Sequence, residues 1–176
     1  MELSPQDTDL VTRARELATL AHANQVDKAG LPYIGHVGRV AARVAAAGHP
    51  AEAVAAAWLH DVLEDQPEHA PAVLQFPASV VVPVQLLTRR PGISPEDYYA
   101  AIRENATALA VKDADIGDNS SPERLALLPI DAQQRLLAKY AKARAALGLS
   151  YDRCRPCPCP TTRRPPAARM WPGRRG

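Results

Sequence analysis

A chain of 176 residues is long enough for one domain with a real core and too short for two ordinary ones. Its apolar share of 47% leans on alanine, valine and leucine with only 5% aromatics, which favours helices, and no stretch approaches the roughly 20 apolar residues of a membrane span. The net charge of +2 is uneven: from Ser150 onward seven arginines meet one acid, leaving the first 149 residues at −4, which gives no case for a nucleic-acid-binding face on the domain.

Ser4-Pro5-Gln6-Asp7 predicts a helix start, with serine as N-cap, proline at the first helical position and an acid in the first turn. Leu10, Val11, Ala14, Leu17, Ala18 and Ala21 then recur at helical spacing, carrying the helix to around Ala23. A second helix follows Pro32, with Ile34, Val37, Val40, Ala41 and Val44 on one face, and stops at Gly48-His49-Pro50. The third, from Ala51 to Glu64, is apolar nearly all round, the mark of a helix at the centre of a bundle. Five prolines break the segment after Asp65 into pieces, read as two short helices, although "SVVVPV" would also suit a strand.

Ser94-Pro95-Glu96-Asp97 repeats the first start and opens a helix to Glu104; another is expected from Ala106 to Asp118. Asp131 is expected to cap a final helix carrying Leu136, Leu137, Tyr140, Ala141 and Arg144 up to Gly148. The fold class is therefore all-α. Residues 1–149 form the domain, and 150–176 form a tail of arginine, proline and cysteine expected to be disordered, because it lacks the apolar surface to order itself. Cys154, Cys157 and Cys159 all lie there, with no second pair to complete a metal knuckle. A cysteine-free domain fits a reducing compartment, and the N-terminus has acids where a signal peptide needs bases, so a cytoplasmic location is expected.

The stretch "WLHDVLED" places His60, Asp61, Glu64 and Asp65 in an otherwise apolar segment. Alone, the His-Asp pair reads as surface or salt-bridged charge at a helix end. Burying four such groups without partners costs several kcal/mol each, a cost that a metal removes in large part. Company comes from two other segments. Lys112, Asp115 and Asn119 fall at i, i+3 and i+7 on a helix otherwise apolar, and His36 lies beside the apolar face of the second helix. Two imidazoles and two carboxylates suit a borderline or hard divalent cation and leave positions open for water and substrate.

The runs "AHANQVDKAGLPYIGHVGRVA", "AAWLHDVLED" and "VKDADIGDN" resemble, in order, the HD-domain metal-dependent phosphohydrolases, and within them the RelA/SpoT-type hydrolase domain and its small alarmone hydrolase relatives. The resemblance covers Leu17 to Leu147. It implies an HD-domain helical bundle with a metal site between central helices, holding a divalent ion, usually Mn2+, on His36, His60, Asp61 and Asp115. It further implies that Glu64 and Asp65 position or activate water, that Asn119 supports the site, and that the 3′-pyrophosphate is removed from ppGpp and pppGpp without synthetase activity. Lys28, Tyr33 and Lys112 are candidate substrate contacts, and Tyr33 and Thr88-Arg89 stand where the family places pocket or linker residues.

Two departures bear on substrate. Val26 and Asp27 precede Lys28 where relatives often have adjacent basic residues, and Asp113 adds a negative charge where leucine is common. The expected partner is thus a small-molecule nucleotide, with no specific nucleic acid and no membrane; oligomeric state is not legible. Alternatives are hydrolysis of another nucleotide or of NADPH, and a catalytically silent HD module that binds a nucleotide.

Overall fold

The computed structural model describes residues 4–149, so the tail from Ser150 onward, with its three cysteines, lies outside the described residues. Helix α1 (Pro5–Ala21) starts as its sequence predicts: Ser4 Oγ accepts from the Asp7 N–H at 3.2 Å, and the Asp7 carboxylate accepts from the Ser4 N–H at 3.3 Å, a reciprocal capping box. Helix α2 (Ile34–Ala46) buries His36 together with Val37, Val40, Ala41 and Val44, and the chain leaves it through Gly48 at φ 79°, a conformation glycine adopts without strain.

Helix α3 (Ala51–Leu59) is the central rod, with all but two of its nine residues buried and α1, α2, α6 (Ala78–Leu87) and α8 (Ala106–Asn119) packed around it. Its alanines allow close approach on every side. The sequence predicts one helix through Glu64, but the chain breaks at His60-Asp61 and resumes as α4 (Val62–Asp65). The cause is local. His60 Nδ1 donates to the Ala57 carbonyl at 2.7 Å, the acceptor that the Asp61 N–H would use in a continuous helix.

The proline-rich segment forms a 3-10 turn (Pro67–His69), α5 (Ala70–Val73) and α6, three pieces where two were expected. "SVVVPV" is helical in spite of Pro83, because Val80, Val81, Pro83, Val84 and Leu87 all bury against the core. Helix α7 (Pro95–Arg103) is capped by Ser94, and α8 by Asn105, whose Oδ1 accepts from the Ala108 N–H at 2.9 Å. A short α9 (Pro122–Leu125) was not anticipated. Helix α10 (Ile130–Ala146) has Pro129 at its N-cap, so Asp131 is not the cap; it stands in the first turn and pairs with Arg135 at 3.1 Å.

Among the described residues there is no strand beyond one isolated bridge, Val26 with Pro32, and no helix is long and apolar enough to cross a membrane. The all-α expectation holds. What the packing achieves for function is the meeting of α2, α3 and α8, since each of these carries ionisable groups into the core.

Candidate metal centre

His36 from α2, His60 and Asp61 from the joint between α3 and α4, and Asp115 from α8 converge at that meeting point. His60 Nε2 is 3.0 Å from Asp61 Oδ2; His36 Nε2 is 3.4 Å from Asp115 Oδ1 and 3.9 Å from Asp61 Oδ2. One ligand atom from each of His36, His60 and Asp115 lies within 4.8 Å of the others, and the two imidazoles stand edge to face with centroids 5.6 Å apart. Both histidines are 2% exposed.

Their hydrogen bonds assign the tautomers. The His60 Nδ1 partner is a carbonyl and the His36 Nδ1 partner is Asp118 Oδ2 at 2.8 Å; both can only accept, so each Nδ1 carries the proton. Each neutral ring then points an Nε2 lone pair toward carboxylates, and both Nε2 atoms are buried without a hydrogen-bond partner. Lone pairs facing carboxylates in a buried site repel and leave an uncompensated desolvation cost. A divalent cation between them removes both penalties, and the donor set of imidazole and carboxylate fits one.

Without a cation, protons take its place. Burial lowers the His60 pKa, but Asp61 outweighs it and pushes the group up to about 9. His36 is likewise raised, with Asp115 and Asp118 overcoming burial. On the other side of the pairings, Asp61 is held down to about 2 by His60 against its own burial, and Lys112 holds Asp115 below the usual carboxylate range. A folded-state pKa of about 9 against the ordinary 6.5 means that His60 stabilises the metal-free protein fully below pH 6.5 and loses that contribution as pH rises through 9. In EDTA, Tm is therefore expected to fall between pH 6.5 and 9, whereas protein loaded with a divalent cation holds its Tm, so the gap between them widens with pH. A pH-independent gap in differential scanning fluorimetry would contradict this account.

Around the cluster, Lys112 Nζ and Asn119 Nδ2 donate to the two oxygens of Asp115 at 2.9 and 2.5 Å, so the polar stripe of α8 works as one unit. The Tyr33 hydroxyl donates to Asp61 Oδ2 at 2.6 Å, and burial together with Asp61 pushes its pKa up, so it remains a donor. Glu64 lines the cavity of about 140 Å3 above the cluster, together with Arg89, Tyr99, Lys139 and Tyr140, and its Oε2 accepts from the Arg89 N–H at 2.9 Å. Asp65 turns elsewhere: its Oδ2 accepts from Gln25 Nε2 at 2.7 Å, and Gln25 in turn accepts from His22 and Gln66. Lys28 lies off the cavity, in a neighbouring lobe between the 26–29 loop and α10 that shares Tyr33, Asn119 and Tyr140 with it.

The two acids that broke the family pattern are both neutralised. Asp113 pairs with Arg144 of α10 at 3.0 Å. Asp27 Oδ1 accepts from the N–H groups of Ala29 and Leu31 at 2.9 and 3.0 Å, and its Oδ2 pairs with Arg124 at 3.2 Å, so it shapes the loop and presents no free charge.

Sequence reasoning missed Asp118. It is 1% exposed and accepts from His36 Nδ1, from Arg39 Nε at 2.8 Å and from Arg124 Nη1 at 3.1 Å. A carboxylate behind a histidine fixes the ring and raises its basicity. Asp118→Asn is expected to weaken divalent-cation binding about 10- to 100-fold, read by competition with a chelator, while helical circular dichroism is retained. Wild-type affinity in that variant would remove Asp118 from the site.

The HD domain profile matches residues 14–112. The guanosine-3′,5′-bis(diphosphate) 3′-pyrophosphohydrolase of Aquifex aeolicus (strain VF5) is 44% identical over 61 residues, which are 35% of this chain and 9% of that protein, so the chain spans under a tenth of that relative's length. A solved structure described as a metazoan ortholog of SpoT that hydrolyzes ppGpp and plays a role in starvation responses shares the fold with a TM-score of 0.64 at 21% identity, covering 84% of this chain and 88% of that one. With its all-α architecture, its His-Asp pair at 60–61 and a profile match over more than half its length, the chain belongs to the HD domain family.

Proposed function

We propose that this protein removes the 3′-pyrophosphate from ppGpp and pppGpp in the cytoplasm, with Mn2+ held by His36, His60, Asp61 and Asp115. The observation that carries the reading is the pair of buried imidazole Nε2 atoms without hydrogen-bond partners, facing two carboxylates beneath a cavity lined by Glu64 and by cations. The names of the Aquifex relative and of the metazoan structure supply the choice of nucleotide.

A bound divalent cation would supply Lewis acidity, lowering the pKa of water and offsetting phosphoryl charge. Glu64, on the cavity wall, takes the proton of the attacking water. Asp65, engaged by Gln25 outside the cavity, acts on the water only through the segment it shares with Glu64. Lys112 and Asn119 fix both oxygens of Asp115 so that the carboxylate cannot rotate away, and Tyr33 does the same for Asp61. Lys28 would meet the nucleoside from the neighbouring lobe, which shares Tyr33, Asn119 and Tyr140 with the cavity. The bond between the ribose 3′ oxygen and its pyrophosphate breaks. The hydroxyl of water ends on the pyrophosphate and a proton on the 3′ oxygen, giving GDP from ppGpp.

The test is a panel of ppGpp, pppGpp, NADPH and GTP with Mn2+, ranked by kcat/KM. The two alarmones are expected to lead. NADPH or GTP turned over equally well or better would overturn the choice of substrate.

A further inference from the structure

We infer that His22 and Gln25 are positioning residues: acting through Asp65 and Gln66, they hold α4 in the orientation that puts Glu64 on the cavity wall. That Glu64 acts on water rests on the hydrolase reading above; the clamp on α4 does not.

Helix α4 cannot orient itself. Four residues are far below the length at which a helix persists alone, and of these four only Val62 is buried. The break at His60-Asp61 also cuts it from the rigid rod of α3, so its direction is set by what grips its side chains. Two tethers do so. On one side the Arg89 N–H donates to Glu64 Oε2 at 2.9 Å. On the other, Gln25 takes hold of the two residues that follow Glu64: its Nε2 donates to Asp65 Oδ2 at 2.7 Å, and its Oε1 accepts from Gln66 Nε2 at 3.0 Å.

His22 fixes Gln25 in turn. A carboxylate such as Asp65 can only accept, so the Gln25 amide has its nitrogen on that side and its oxygen toward His22, whose Nδ1 donates to it at 2.6 Å. The backbone of Gln25 is pinned as well, its N–H donating to the His22 carbonyl at 3.1 Å and its carbonyl accepting from the Tyr33 N–H at 2.9 Å. His22 is 1% exposed, stands 5.1 Å from the Tyr33 ring, and leaves its Nε2 buried without a hydrogen-bond partner. An idle buried nitrogen costs free energy that an apolar side chain of similar size avoids. The cation cluster does not account for it, since that group takes His36, His60 and Asp115. The imidazole is there for Nδ1, which stops the Gln25 amide from flipping and turning its oxygen against Asp65.

The test uses the full chain. His22→Leu fills the space without the donor, and His22→Asn keeps a donor near the place of Nδ1. With ppGpp and Mn2+, His22→Leu is expected to lower kcat about 10-fold, with KM and cation affinity unchanged, and His22→Asn to recover most of the loss. In a Glu64→Gln background His22→Leu should cost nothing further, because both changes act through one group. An undiminished kcat, a loss confined to KM or cation affinity, or an equal loss in both backgrounds overturns the inference. A second arm needs no substrate. The Asp65 and Gln66 amides, which donate at 2.9 Å to the Asp61 and Val62 carbonyls, are expected to exchange with deuterium about 10-fold faster in His22→Leu and in Gln25→Leu, while α8 keeps its protection. If wild type leaves ppGpp intact but the α4 amides open in the variants, the hydrolase reading falls and the clamp stands. Unchanged exchange at α4, or a rise shared equally by α8, overturns the clamp.

Discussion

Replacing Asp61 with alanine is expected to cut Mn2+-dependent pyrophosphate release by on the order of 10³-fold, the equivalent of about 4 kcal/mol of metal-derived transition-state stabilisation. The carboxylate stands 3.0 Å from His60 Nε2 and 3.9 Å from His36 Nε2, so its loss strips the cluster of a charge that faces both rings. It also frees the Tyr33 hydroxyl. Were the cluster only a buried ion-pair network, the same substitution would cost about 3–5 kcal/mol of stability and leave no metal-dependent activity to lose. Asp61→Asn separates the two cases, because an amide of the same shape still accepts from Tyr33 yet carries no charge. An Asp61→Asn protein that folds and turns over ppGpp at the wild-type rate would sink the assignment.

The second large effect is expected at Glu64. Glu64→Gln is predicted to lower kcat by about 10²- to 10⁴-fold, the usual share of a general base, with Mn2+ affinity unchanged. Glutamine keeps the acceptor for the Arg89 N–H, so the local chain is preserved and only the proton acceptor is lost. Asp65 provides the contrast. Its carboxylate is engaged by Gln25, so on the proposed reading Asp65→Asn should cost less in kcat than Glu64→Gln. The reverse order, measured in steady-state assays at saturating Mn2+, would exchange the two roles.

How much of this was legible in advance follows from the range of the interactions. The starts of α1 and α7 are written in Ser-Pro-x-Asp because a capping box is local. The cluster was legible because its groups recur on apolar helices in a fixed order, and the structure brings His36, His60, Asp61 and Asp115 together. The break at His60 was hidden, since nothing in the sequence announces that an imidazole takes the Ala57 carbonyl. Asp118 was hidden for a related reason: it sits one position off the Lys112, Asp115, Asn119 stripe, and its partners His36, Arg39 and Arg124 are brought to it by folding. Asp113 looked like added negative charge near the site, and Asp27 like a lost basic contact, until the packing of α10 and α9 supplied Arg144 and Arg124. Asp131 looked like a cap because cap and first-turn acids share a composition, and only the Pro129 carbonyl, accepting from Ala132 and Gln133 at 3.0 Å, places the helix start.

The central claim is that water, a divalent cation and these side chains release pyrophosphate from the 3′ position. Its most direct test is 31P NMR of ppGpp incubated with the purified chain and Mn2+, with EDTA added partway. The account predicts GDP and intact pyrophosphate in equal amounts, with production stopping at the chelator. Orthophosphate as the product, release that continues in EDTA, or unaltered ppGpp with folded, Mn2+-loaded protein would contradict it.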